Sequence, residues 1–341
     1  MGANSFIVRI SSCGLLAVLL VGQFVTARAS DTDLARLEAA AFAAAVERVS
    51  PSVVRIETIG GLERRGRTLL SEGPTTGLVV GADGYIISSA FNFLSQPTSI
   101  LVRLADGARK PARLVATDSS RMIVLLKIEV AQPLPVCKIV PQSQMRVGQW
   151  AVAVGRTFDA SRPNMAVGIL SALDRIWGKA IQTDAAVSPN NYGGPLIDIR
   201  GRVLGVLVPL SPESADEMAG VEWYDSGVGF AIPAEHIQQI LPRLKKGENL
   251  RPGIAGIGLK GPNLITGAPI IVACRAKSPA AAAGIKVGDR VVEIDGRKIQ
   301  RAAQIREAIA RHYAGETMQV VVLRNQKRQT CEIKLAGSLG P

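Results

Sequence analysis

The sequence predicts a mostly-β protein built as two compact units behind one N-terminal helix. Three observations carry that class. Between Ser52 and about Pro209 the chain breaks into short alternating or apolar runs separated by Gly, Asp-Gly and Pro, the mark of barrels or sandwiches. The alanine-rich stretch from Asp31 to Val49 has a helical period instead, and a polar stretch from Pro242 to Pro252 sets off a C-terminal segment with strands of its own. The length of 341 residues agrees with two domains. Hydrophobic residues at 47% and charged residues at 20% supply packed cores and exclude a disordered, collagen-like or disulfide-scaffold chain.

Taken in order, residues 1–29 read as an export signal. Arg9 supplies the positive flank, Leu15 to Val21 the apolar run, and Ala27-Arg28-Ala29 the small residues a signal peptidase needs. Cleavage there starts the exported chain at Ser30; left uncleaved, the run would act as an anchor. Residues 30–50 hold the helix, with Leu34, Leu37, Ala41, Ala45 and Val49 on one stripe, and Pro51 stops it. Residues 51–241 carry strand-like runs such as Val53–Ile56, Gly77–Val80 and Ile100–Leu104, with turns at Asp83-Gly84, Asp106-Gly107 and Arg200-Gly201. Residues 242–252, with Lys245, Lys246, Gly247 and Asn249, read as a linker. Residues 253–337 offer strands at Ile270–Ala273, Arg290–Ile294, Met318–Leu323 and Thr330–Leu335 and an amphipathic helix from Ala302 to His312. No fixed-period repeat is visible in the sequence.

Charge is uneven. The net charge is +12, and the segment from Arg251 to Pro341 holds 15 basic and 6 acidic residues, hence +9. That end attracts acidic peptides, membrane surfaces or nucleic acid without specifying any nucleic acid. Between Pro209 and Ser226 lie Glu213, Asp216, Glu217, Glu222 and Asp225 with no basic residue, either a solvated loop or a segment that docks on the basic end. Cys137, Cys274 and Cys331 are an odd number for an exported chain, so a Cys274–Cys331 pair and three free thiols both stay open. Two separated histidines, His236 and His312, and no Cys-x-x-Cys argue against zinc. No phosphate-binding glycine loop is present, so no cofactor is expected.

Gln182-Thr183-Asp184-Ala185-Ala186, followed by Pro189-Asn190-Asn191-Tyr192-Gly193-Gly194-Pro195-Leu196, resembles the active-site segment of the HtrA family, exported serine proteases with PDZ domains. Asp83–Ile86, Asp106-Gly107, Gly168–Leu173 and Gly227–Pro233 match further family segments in the same order. The resemblance implies a trypsin-like double β-barrel with an N-terminal helix, followed by a small α+β PDZ domain. It also implies where catalytic residues should stand, and there this sequence departs. Phe91 occupies the histidine position, Met122 the aspartate position and Tyr192 the nucleophile position. A triad needs an imidazole to take the hydroxyl proton and a carboxylate to orient that imidazole, and these side chains supply neither. Asn190 and Asn191 remain as a remnant oxyanion turn, which Asn190 could keep in shape by accepting left-handed backbone. The stretch Ile176 to Ala180 is shorter than the loop that in the family relays PDZ occupancy.

Within the C-terminal unit, Ser278–Ala281, Ala283–Asp289 and Ile294-Asp295-Gly296 resemble the PDZ core. Ile254, Ala255, Gly256 and Ile257 match the loop whose amides receive a peptide C-terminus, and Ile305 and Ile309 would line the groove from the helix. The expectation is a catalytically silent HtrA relative that binds unfolded proteins or peptide C-termini as an envelope chaperone, adaptor or protease regulator. By family analogy it would form homotrimers, or heterotrimers with an active relative. Two alternatives stand beside it: an active endopeptidase with an unrecognised constellation, for which Ser188 is the first nucleophile to try, and a basic envelope-surface binder.

Overall fold

The computed structural model describes residues 31–61, 64–65, 68–69, 73–159, 161–210, 226–259 and 265–339. The expected export signal and most of the acidic insertion lie outside them. Helix α1 runs Asp31–Val49. Its buried residues are Phe42, Ala45, Val46 and Val49, whereas Leu34 and Leu37 are exposed. The buried stripe therefore starts at Phe42, where the ring meets Trp150 edge-on with centroids 5.3 Å apart.

The first barrel is built from β1 (Val53–Ile59), β2 (Pro74–Gly81), β3 (Tyr85–Ser89), β4 (Ser99–Arg103), β5 (Arg109–Asp118) and β6 (Ile123–Ile128), with a two-stranded hairpin, Arg64–Arg65 with Thr68–Leu69, between β1 and β2. They close into a barrel in the order β1-β2-β3-β6-β5-β4. Successive side chains on a strand face opposite ways. Val54, Ile56, Ile86, Val124 and Leu126 fill one core, while their neighbours Val53, Ile87, Ile123 and Leu125 pack in a second, shared with α1 and the next barrel. This double burial is why runs such as Ile123-Val124-Leu125-Leu126 are apolar throughout rather than alternating. At the Asp83-Gly84 turn, Gly84 has φ +96 and a Cβ there would lie 2.4 Å from Ile128 O, so only glycine fits.

A second barrel follows from β7 (Trp150–Gly155), β8 (Asn164–Asp174), β9 (Ala180–Thr183), β10 (Pro195–Ile197), β11 (Val203–Val208) and β12 (Gly229–Pro233). Its closed order, β8-β9-β12-β11-β10-β7, is the same cyclic order as the first. Helix α2 (Ala234–Lys245) then buries Ile237, Ile240 and Leu244. The expected linker needs correction here, because α2 carries Pro242 inside it and ends at Lys245. The remainder is pinned to the first barrel. Leu250, 2% exposed, donates its amide to Thr117 O and accepts from Ser119 N, and Asn249 Oδ1 accepts from Thr117 N. One buried leucine in a polar stretch decides the path.

The C-terminal unit has a two-stranded sheet, β13 (Ile257–Leu259) with β14 (Ile271–Cys274), and a four-stranded sheet in the order β16-β15-β17-β18. Those strands are β15 (Arg290–Ile294), β16 (Arg297–Lys298), β17 (Thr317–Arg324) and β18 (Lys327–Lys334). A short helix α3 (Pro279–Ala282) is capped by Ser278 Oγ, which accepts from Ala281 N at 3.2 Å. Helix α4 (Ala302–Arg311) is capped by Gln304, whose Oε1 accepts from the amides of Gln300 and Arg301. Cys137, Cys274 and Cys331 are all free thiols, which closes the disulfide alternative.

Candidate functional site

Phe91 opens a short 3-10 turn directly after β3, Met122 precedes β6, and Tyr192 sits in the turn before β10. The fold brings these distant positions to the junction of the barrels. Ala90 N donates to Met122 O at 2.8 Å, and the Phe91 and Tyr192 rings meet edge-on with centroids 5.5 Å apart. Tyr192 is 2% exposed and belongs to the second barrel's core, with Phe91 packed against it. Met122 packs on the first barrel's core and has φ +55. The space between the Phe91 and Tyr192 turns is therefore filled by packed rings.

The turn beneath Tyr192 is closed on itself. Asn191 N and Tyr192 N both donate to Ser188 O, at 3.0 and 3.2 Å, while Asn191 Oδ1 accepts from Ser188 N and Asn191 Nδ2 donates to Ala186 O. Tyr192 O accepts from Thr75 Oγ1 and Thr76 N, and Asn190 O accepts from Thr157 Oγ1 at 2.9 Å. The expectation that Asn190 supplies left-handed backbone is corrected: the positive φ in this turn is at Gly193, +79. An oxyanion pocket needs amides aimed at a developing charge. Here the amide of Tyr192 is already bonded to Ser188 O.

Neither histidine is bonded to Ser188. His312 Nδ1 lies 2.8 Å from Ala308 O, and its Nε2 is 3.3 Å from Asp295 Oδ2. His236 sits beside Arg121 and Arg311, and burial first, then those two charges, hold its pKa below the usual value. Among the described residues no group of three or more His, Cys, Asp or Glu side chains gathers to hold a metal ion.

In the C-terminal unit the loop at 254–257 is held by its carbonyls. Ala255 O accepts from Ala280 N and Gly256 O from Arg275 N, while Ile254 N donates to Ala336 O. Gly256 has φ +77, and a Cβ there would lie 2.4 Å from Ser278 Cβ. Strand β13 continues from this loop, and Ile257 and Ile305 line the same small apolar cavity. The groove expectation is refined: Ile305 is 1% exposed and belongs to the domain core, so the half-buried Ile309 is the helix residue that offers surface.

Residues 75–206 match the family described as trypsin-like peptidase domain, and residues 253–335 match the PDZ domain. A serine protease Do-like HtrA from Lactococcus lactis subsp. cremoris is 30% identical over 302 residues, covering 80% of this chain and 72% of that protein. The chain belongs to the HtrA family. A probable periplasmic serine endoprotease, DegP-like, from Pseudomonas fluorescens is 29% identical over 368 residues, covering 94% of this chain and 73% of that protein. Among solved structures, the HtrA-type protease AlgW with tripeptide superposes with a TM-score of 0.70 at 25% identity, over 88% of this chain and 98% of that one. This HtrA-family chain thus has the family's double barrel and PDZ domain.

One feature of this chain's arrangement was not legible in the motifs. Tyr313, beyond α4, is 3% exposed and donates its hydroxyl to Asp118 Oδ2 at the end of β5. The guanidinium carbons of Arg121 and Arg243 stand 4.5 and 5.2 Å from its ring centroid. Burial, above all, pushes the Asp118 carboxyl up, against the opposing pull of Arg121 and the Tyr313 hydrogen bond. Nothing in the spacing of Tyr313 links it to Asp118, 195 residues away. The short turn after β8 also meets the PDZ domain, with the Arg306 guanidinium 4.1 Å from the Trp177 ring centroid.

Proposed function

We propose that this HtrA-family chain does not cleave peptide bonds and instead binds unfolded polypeptides or free peptide C-termini through its PDZ domain, as a chaperone, adaptor or protease regulator. The reading rests on one observation. The positions that the family resemblance assigns to the triad carry Phe91, Met122 and Tyr192, with the Tyr192 ring buried against Phe91 and its amide bonded to Ser188 O. No group there takes up a hydroxyl proton, and an oxyanion would lack the Tyr192 amide. The PDZ loop asks only for backbone amides and a shaped apolar surface.

The relatives named as periplasmic endoproteases support an exported, periplasmic setting. Homotrimers, or heterotrimers with an active relative, are part of the same proposal and rest on family analogy. The test sets the exported chain against casein beside its Phe91→His, Met122→Asp, Tyr192→Ser variant. The native chain is expected to leave casein intact, and cleavage that co-purifies with it through successive columns would overturn the proposal. A fluorescent peptide with a free C-terminus is expected to bind and its amidated twin to bind at least tenfold more weakly. Equal binding that follows salt alone would favour the basic surface over the groove.

A further inference from the structure

The barrels and the PDZ domain keep separate cores. One apolar cluster joins α1 to both barrels and another fills the PDZ domain; among the described residues, Tyr313 is the only PDZ side chain in the first. The guanidinium carbons of Arg121 and Arg243 lie 4.5 and 5.2 Å from its ring centroid, and its hydroxyl donates to the fully buried Asp118. Around that ring the seam is polar. Arg121 Nη2 donates to Arg311 O at 3.5 Å, Arg243 pairs with Glu316, Asp174 lies 3.4 Å from Arg311 Nη2, and Arg306 stands over the Trp177 ring. Polar interfaces of this kind leave relative domain motion as the expected behaviour.

The chain crosses from one domain to the other at a single residue. The carbonyl of Leu250 is held by the first barrel, accepting from Ser119 N, and the carbonyl of Arg251 is held by the PDZ domain, accepting from Ala314 N. The two backbone dihedrals of Arg251 therefore separate a peptide plane fixed to the barrel from one fixed to the PDZ domain. Rotation there moves the domain as one piece and leaves both hydrogen bonds intact. Pro252 keeps Arg251 in extended backbone, so the pivot has limited travel. Two buried atoms favour parting. Arg121 Nε and Arg311 Nε have no hydrogen-bond partner among the described residues. Gly178, on the barrel side, closes off Arg311: a Cβ there would lie 2.8 Å from Arg311 Nε. The Tyr313 ring and the Arg311 carbonyl, on the PDZ side, close over Arg121. Both guanidiniums meet water once the domains part.

We propose that this seam is a release latch with Tyr313 as its pin. The PDZ domain exchanges between the docked arrangement, which predominates, and one opened about Arg251. In the open form the Tyr313 ring has left the socket made by Arg121, Arg243 and Asp118. Docking is favoured by burial of one aromatic ring, its bond to Asp118 and its two cation contacts. Opening is favoured by hydration of Asp118, Arg121 and Arg311, whose charges the docked seam keeps from water. With one side chain carrying most of the docking, a modest change at the seam shifts the balance between the two forms. Tyr313 follows α4 closely, so the latch fixes that helix against the barrels when docked and frees it when open, whether or not the PDZ loop takes peptides.

The test is hydroxyl-radical footprinting of the full exported chain, read by mass spectrometry at two tyrosines of equal chemistry and nearly equal burial. Tyr313, at the seam, is 3% exposed and Tyr192, in the second barrel's core, is 2% exposed. In the native chain Tyr313 is expected to be labelled about tenfold faster than Tyr192, because local opening uncovers the seam and only global unfolding uncovers the core. Arg243→Met and Asp118→Asn are each expected to speed Tyr313 labelling by a further factor of about three to ten, with Tyr192 unchanged. The half-buried Trp177, under Arg306, should gain labelling in step with Tyr313, since a pivoting domain uncovers both. Lys327→Met, in the exposed β17–β18 hairpin, is expected to change nothing. Equal labelling of the two tyrosines in the native chain would overturn the latch. So would a Tyr313 rate that neither variant raises, one that rises only together with Tyr192, or one that rises without Trp177, which is fraying of the chain beyond α4. If either variant does not fold, the other decides.

Discussion

The barrel junction and the PDZ loop ask different things of the sequence. The junction's ancestral chemistry, as the family resemblance assigns it, depends on three particular side chains, and this chain carries Phe91, Met122 and Tyr192 there. The loop at 254–257 depends on backbone amides and on one glycine conformation, and Gly256 keeps its φ of +77. Side-chain chemistry vanishes with a substitution that a core will welcome, whereas backbone chemistry survives most substitutions. On the proposed reading, that difference is why substitutions at the junction would cost an HtrA chain its cleavage chemistry and leave the peptide loop untouched.

The sharpest way to break that comparison is at Tyr192. If the ring has become core, Tyr192→Ala should lower stability by about 3–5 kcal/mol in denaturant unfolding, the range for removing a large buried aromatic. A loss under about 1 kcal/mol would mean that the turn tolerates an empty site and that the junction is not a packed core.

A smaller effect is expected at the loop. Gly256→Ala puts a Cβ 2.4 Å from Ser278 Cβ on a backbone at φ +77. Binding of a free-C-terminus peptide should weaken about tenfold or more, the equivalent of 1.4 kcal/mol, while unfolding of the barrels is unaffected. Unchanged peptide affinity would move the binding surface away from residues 254–257.

The smallest effect belongs to pH. In the folded chain burial, then the charges of Arg121 and Arg311, hold the His236 pKa below its ordinary value, whereas in the unfolded chain it takes a proton near about 6.5. The folded state thus binds fewer protons, so this contribution is complete above about pH 6.5 and declines as the pH falls through the folded value. The melting temperature should drop between pH 7.5 and 5.5, and His236→Gln should flatten part of that slope. A variant with the native slope would leave His236 out of it.

Much of the fold could be read directly. The α1 limits, the short apolar runs and the turn glycines follow from local periods and from backbone conformations that only glycine tolerates. The buried stripe of α1 could not be read in the same way, since the choice of Phe42 over Leu37 depends on Trp150, more than a hundred residues on. Leu250 is another case: a single leucine among polar residues gives no periodic signal, yet its hydrogen bonds to Thr117 and Ser119 fix the path into the PDZ domain. Ile305 shows the opposite error, because helical spacing identifies an inward face but does not say whether that face meets a groove or a core.

What the sequence by itself determined is residue identity at motif positions and the short-range patterns around them. Phe91, Met122 and Tyr192 are written in single residues, and no packing can give the first two an imidazole or a carboxylate or turn the phenol of the third into a serine hydroxyl. Tertiary structure alone decided what those residues became. The Phe91–Tyr192 ring contact and the hydrogen bonds from Thr75 and Thr76 to Tyr192 O each join positions about a hundred residues apart. The common strand order of the two barrels is equally silent in the sequence. Barrel closure needs only buried residues at the right alternation, which many unrelated sequences satisfy, so the fold repeats where the letters do not.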